Sequence, residues 1–287
     1  MLLVYVRDLW ELAKPEISFL VTISALAGFL LGSPEIIDLG TLAATLIGVF
    51  AAAGGAGVFN HVWERGLDAK MKRTKRRPLP AGRVSYGVAL FYGALLLVVG
   101  LVTLYALVNT VTAALGALTA GLYIFLYTPL KRRSTLNTLI GTIPGALPAL
   151  GGWTAATGGF GWGGWIIFGV LVCWQMPHFL SLAWMYRKDY ERAGYAMLPV
   201  VEPDGQSTAF QTLIYTGLLL VCSLLLGVVN LVGWLYLVGA LILGLWFCKV
   251  SYAFYLDLTP KRARRVLMAS IIYIPVLVVL IFVDWLV

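Results

Sequence analysis

Apolar runs of about twenty residues, nearly free of charge, follow one another along the chain and leave room for little else. Nine can be distinguished, at about 16–33, 41–59, 86–107, 111–128, 138–156, 163–184, 209–229, 231–250 and 267–286. A helix rises about 1.5 Å per residue, so roughly twenty residues span the ~30 Å hydrocarbon core of a bilayer. Lipid offers no partner for backbone N–H and C=O groups, so such runs must pair those groups internally as helices. Only 12% of the residues are charged, against about 25% in soluble domains. The expected fold class is all-α: a polytopic membrane bundle of about nine transmembrane helices, forming a single domain over residues 1–287. Arg7, Asp8, Glu11 and Lys14 precede the first long run, which argues against a cleavable signal peptide. No organelle transit pattern is visible, so a prokaryotic cell membrane is expected.

Charge placement orients the bundle. If nine helices alternate, the loops on one side fall near 34–40, 108–110, 157–162 and 230, and none of these contains Lys or Arg. All 21 basic residues fall on the other side or at helix ends facing it. The positive-inside rule then places the N-terminus in the cytoplasm and the C-terminus outside. The net charge of +8 follows from topology and from contact with anionic lipid headgroups. It does not point to nucleic acid. Cys173, Cys222 and Cys248 all lie in apolar runs with no CxxC spacing, and read as small packing residues.

One stretch stands out against this background. "NHVWERGLDAKMKRTKRRPLPAGR" (60–83) follows the apolar run at 41–59 directly and holds eight basic residues. Asn60, Glu64 and Asp68 are spaced by four, which stacks them on one helix face about 6 Å apart. Like charges at that spacing repel, more so where water is scarce. A cation between them relieves the cost, and two hard carboxylates suit Mg²⁺ completed by waters and phosphate oxygens. Arg73, Arg76 and Arg77 can bind phosphate bidentately, and Lys70, Lys72 and Lys75 as point charges. The same spacing also fits a plain interfacial anchor with surface ion pairs, and both readings stand on spacing alone.

Similar features recur on the same side. "YTPLKRRSTLN" (127–137) places Tyr127 at a helix end and Lys131 four residues on. "YRKDYERAGYAMLP" (186–199) holds Asp189 and Glu191 among Arg187, Lys188 and Arg192. Two acidic patches on different helices could hold two Mg²⁺ ions about one diphosphate. Asp189 reads equally well as a solvated loop acid.

These stretches resemble the UbiA superfamily of intramembrane prenyltransferases. Its first acidic signature runs Asn, three residues, Asp or Glu, three residues, Asp, then Met, Arg-Thr, Arg and Gly. Asn60, Glu64, Asp68, Met71, Arg73, Thr74, Arg77 and Gly82 fill every position. Within the superfamily, "LAKPEISFLV" (12–21), "NTLIGTIPGALPALGGW" (137–153), "WQMPHFLSLAWMYRKDY" (174–190) and "AGYAMLPVV" (193–201) are most similar to the heme O synthase branch. Two departures matter. Glu64 stands where Asp is common, and Asp189 is followed four residues on by Ala193 where many relatives carry a second Asp. The second departure favours the heme branch and weakens the case for a second tightly held Mg²⁺.

The resemblance implies transfer of a farnesyl group from farnesyl diphosphate to a vinyl group of heme b. It implies Mg²⁺ as cofactor, held by Glu64, Asp68 and Asp189 with Asn60 orienting. It assigns the diphosphate to Lys14, Arg73, Arg77 and Lys131, and places Tyr127 beside the allylic cation. His178, behind Pro177, and His61 are the candidate heme contacts. Membrane lipid surrounds the site, and a heme A synthase or terminal oxidase assembly is the implied recipient of the product. Two alternatives remain open: a quinone precursor or chlorophyllide as acceptor, and, from another class, a multi-pass transporter.

Overall fold

The computed structural model describes residues 2–33 and 37–286, so the outer loop expected at 34–40 lies in part outside the described residues. Among the described residues there are helices and turns and no strand. The first three helices are α1 (Leu2–Leu12), α2 (Pro15–Leu31) and α3 (Leu39–Asp68). α4 (Tyr86–Leu107), α5 (Thr110–Leu130), α6 (Asn137–Thr157) and α7 (Trp162–Met185) follow. Two short helices, α8 (Arg187–Ala193) and α9 (Leu198–Val201), precede α10 (Gln206–Val228), α11 (Trp234–Leu256) and α12 (Pro260–Leu286).

Seven of these are long and apolar enough to cross a membrane: α3, α4, α5, α7, α10, α11 and α12. An eighth span arises if α1 and α2, bent by 47° at their junction, are taken together. The expected run at 138–156 is indeed helical, as α6, but is not among the seven; Gly, Pro and Thr dilute its apolar character. The chain is a multi-pass membrane protein. Large apolar side chains such as Phe91, Phe125 and Val228 stand exposed on its flanks, where lipid covers them.

Local signals set the helix boundaries. Asp38, Ser85 and Asn109 cap α3, α4 and α5, each accepting a hydrogen bond from a backbone N–H of the first turn. The break between α1 and α2 is written as Lys14–Pro15. Proline disfavours helical geometry in the residue before it, and Lys14 adopts the left-handed region at φ 49°. Few residues with a Cβ do so.

α2 packs along α6, α3 along α4, and α7 against α6, α10 and α12. The α2–α6 contact is backbone to backbone. A Cβ on Gly28 would strike Ala149, and one on Gly152 would strike the Ala25 carbonyl. Tyr236, Phe247, Phe254 and Tyr273, all fully buried, fill the core between α10, α11 and α12. Buried threonines bond back to the carbonyl four residues earlier, as Thr212 does to Thr208, which keeps their hydroxyls satisfied away from water.

α5 is not regular. Its middle, Leu122–Tyr127, is a π-helical turn between α-helical ends. One extra residue is thereby accommodated, and such turns cluster at functional sites.

Candidate active site

The last two turns of α3 present Asn60, Glu64 and Asp68 as one stripe, and all three are buried. They line one end of a cavity of about 380 Å³ enclosed mainly by α2, α3, α5, α6 and α7. Four cations reach the same end. Lys131, just past α5, bonds Glu64 Oε1 at 2.7 Å. Arg77 grips both carboxylate oxygens of Asp68 through one nitrogen, at 2.9 and 3.0 Å. Lys14 donates to the side-chain oxygen of Asn60, projected there by the Lys14–Pro15 break. Arg73 also lines the cavity and lies over the Tyr186 ring at 5.5 Å.

Asn60 has a second anchor. Its Nδ2 donates to Thr128 Oγ1 at 3.0 Å, and Thr128 donates to the Tyr123 carbonyl at 2.8 Å, across the π-turn. That turn sets Tyr123, Tyr127 and Lys131 all on the cavity. The Lys131 ammonium sits 4.6 Å from the centre of the Tyr127 ring. Burial opposes the charge on Lys131, but Glu64 beside it, together with Tyr127, Tyr123 and Tyr195, outweighs burial and holds its pKa well above the usual lysine value. A lysine raised in this way stabilises the fold at all pH below its ordinary ~10.4. That contribution is lost only as pH climbs through the higher folded value, so the pair is intact across the neutral range.

Of the residues expected from sequence, Lys14, Asn60, Glu64, Asp68, Arg73, Arg77, Tyr127, Lys131 and His178 all line this cavity. Asp189 does not. It pairs with Arg192 one turn along α8, and the structure does not bring it to Glu64 and Asp68. His61 is buried off the cavity, with no partner for Nδ1. His178 bonds Ser270 of α12 through Nδ1 at 2.9 Å, and its ring is 5.3 Å from that of Trp174. Sequence reasoning missed Tyr123, Tyr190, Tyr195 and Gln175, which also line the cavity. Burial pushes the Tyr195 hydroxyl well above its usual pKa, and the negative charge of Glu64 adds to this. Its only signal was a place in the "AGYAMLP" stretch.

The donor set suits magnesium. Among the described residues, no three His, Cys, Asp or Glu side chains gather into a metal cage. Two carboxylates with an amide one turn away, opening on a cavity ringed by cations, leave the remaining coordination to water and phosphate oxygens. Away from this end the walls become apolar and small, with Ala52, Ala53, Ala56, Gly116 and Gly145 beside Leu104 and Leu115. A cationic head and an apolar body describe a ligand that joins phosphates to a hydrocarbon tail.

Known proteins agree with this geometry. Residues 21–273 match the UbiA prenyltransferase family model. Protoheme IX farnesyltransferase of Salinibacter ruber is 57% identical over 280 residues, covering 96% of this chain and 99% of the relative. Among solved structures, one described as digeranylgeranylglyceryl phosphate synthase superposes with a TM-score of 0.82 at 18% identity, covering 98% of each chain. A UbiA homolog from Archaeoglobus fulgidus bound to GPP and Mg²⁺ superposes at 0.68 and 13% identity, covering 96% of this chain and 99% of the other. The apolar helices, the acidic end of α3 and these likenesses converge: the chain belongs to the UbiA prenyltransferase family.

Proposed function

We propose that this chain transfers the farnesyl group of farnesyl diphosphate to a vinyl group of heme b, giving heme O and diphosphate. The observation that carries the reading is the paired geometry Glu64–Lys131 and Asp68–Arg77 at the head of an otherwise apolar cavity. Identity of 57% with a protoheme IX farnesyltransferase over nearly the whole chain supports the acceptor.

Glu64 and Asp68, with Asn60 beside them, are the residues that would hold Mg²⁺. Bound there, the ion would draw charge from the diphosphate and make it a better leaving group. Arg73, Arg77, Lys14 and Lys131 take phosphate oxygens and stabilise the negative charge that develops as the C–O bond breaks. Tyr123 and Tyr127 present their rings to the cavity where the allylic cation forms. The vinyl group attacks that cation, and water then adds to the resulting carbon, leaving a hydroxyl and releasing a proton. Apolar walls keep water from the cation before the vinyl group reaches it. His178, held by Ser270 and beside Trp174, is the heme-facing histidine in this reading. The whole chain acts as a single domain, and a heme A synthase or terminal oxidase assembly receives the product.

The test is direct. Purified protein with Mg²⁺, farnesyl diphosphate and heme b should yield a porphyrin heavier by one farnesyl and one hydroxyl group. 4-Hydroxybenzoate in a parallel reaction should yield nothing. Prenylation of the benzoate with heme b unchanged would overturn the assignment.

Lys131→Met removes the partner of a carboxylate that is itself buried. Leaving one charge of a buried pair unmatched costs about 3–5 kcal/mol. The expected result is a lower thermal midpoint and a KM for farnesyl diphosphate raised at least about tenfold. Lys131→Arg should restore most of the midpoint, since it restores the charge.

A further inference from the structure

A second cavity lies between α11 and α12, with a volume of about 430 Å³. This is within the ~300–1,000 Å³ usual for small-molecule sites. Trp246 and Val250, one turn apart on α11, form one wall, and Met268 and Ile272, one turn apart on α12, form the other. Lys261, Arg264 and Arg265 close one end.

Helix stability does not account for those cations. They stand in the first two turns of α12, where the positive end of the helix dipole disfavours basic residues. Neither are they matched by acids. Among the described residues none of the three forms an ion pair, and Asp257, the nearest acid in sequence, pairs with Arg262 at 3.5 Å. All three are exposed. Topology explains basic residues at this end of a span. It does not explain why three of them converge on the mouth of an apolar groove.

We propose that this groove is a binding site for an anionic phospholipid. Its phosphate is held by Lys261, Arg264 and Arg265, and an acyl chain lies along Trp246, Val250, Met268 and Ile272. The groove meets both demands of such a ligand, since its walls are apolar and its charged mouth lies where a span leaves the bilayer. It also backs onto the catalytic cavity. Ala269 lines the groove, and its neighbour Ser270 accepts from Trp174 Nε1 at 2.6 Å and bonds His178. The lipid therefore seats the stretch of α12 that anchors one wall of the catalytic cavity.

The test is native mass spectrometry of the whole protein in detergent with phosphatidylglycerol or phosphatidylcholine added. Each Lys or Arg near a headgroup is worth roughly a fivefold preference for an anionic lipid. Wild type should therefore retain phosphatidylglycerol at least about tenfold better. The variant Lys261→Gln/Arg264→Gln/Arg265→Gln should retain both lipids equally. Removing the same charge elsewhere, as Arg7→Gln/Arg132→Gln/Arg133→Gln at three exposed positions, should leave the preference in place. Inorganic phosphate at millimolar concentration should not displace the lipid, because it lacks the acyl chain. No preference in wild type, equal loss in both triple variants, or displacement by phosphate alone would each overturn the proposal. Farnesyl diphosphate binding, followed in the same samples, reports whether each variant is folded and does not depend on the lipid result.

Discussion

Asp68→Asn is expected to lower turnover on the order of 10³-fold while the protein still folds and still takes up heme. The carboxylate of Asp68 is fully buried, and Arg77 contacts both of its oxygens. Asparagine has the same shape and one acceptor oxygen, so it keeps a bond to Arg77 and packs in the same space. What it lacks is the charge that a metal ion needs. The backbone role of the residue is also preserved, since Thr74 bonds its carbonyl oxygen and not its side chain. Turnover, measured at saturating farnesyl diphosphate, should collapse while the heme absorbance of the purified protein is retained. Loss of both signals would mean misfolding. Unchanged turnover would mean that these acids are an interfacial anchor, the alternative that spacing alone left open.

Gly152→Ala should lower the thermal midpoint and the yield of monodisperse protein from detergent extracts, whereas Gly151→Ala should leave both unchanged. The two glycines are neighbours on α6 and point in different directions. A Cβ on Gly152 would meet the Ala25 carbonyl carbon at 2.7 Å and the Phe29 nitrogen at 2.9 Å, both backbone atoms of α2. Backbone cannot step aside as a side-chain tip can. Overpacking of this kind costs about 1–3 kcal/mol or more, a large part of the 5–15 kcal/mol that holds a typical domain together. A Cβ on Gly151 meets nothing within 4 Å and projects into the cavity. Size-exclusion profiles of the two variants, made side by side, decide the matter. Equal profiles would mean that α2 and α6 do not meet so closely.

Much of this was legible in the chain. The apolar runs marked the long helices, because a bilayer demands both their length and their composition. The i, i+4 spacing of Asn60, Glu64 and Asp68 put them on one face, because a helix has a fixed pitch. Lys131 came with the family resemblance. Pairings were harder. Nothing in the spacing said that Lys131 would meet Glu64 while Arg77 met Asp68, because residues 67 and nine positions apart are joined only by packing. Asp189 read equally well as a metal ligand or as a solvated loop acid, and an arginine on the next turn of its own short helix pairs with it. Tyr195 belongs to an irregular stretch, where no periodicity says which way a side chain faces. The α6 run was legible as a helix, yet its use of glycine for close approach to α2 shows only in three dimensions.

The wide turn in α5 was not legible at all, and it governs the register of the lysine that pairs with Glu64. Each α-helical residue advances the chain by about 100° around the axis. The stretch upstream of Leu122 packs against α6, while the stretch downstream delivers Thr128 to Asn60 and Lys131 to Glu64. The inserted residue shifts these two halves out of phase, so that both contacts are met at once. A single-residue deletion there would restore an even spiral and swing the ammonium more than a quarter turn away from its carboxylate. Evolution can thus retune this enzyme by counting residues, with no change of side chain anywhere.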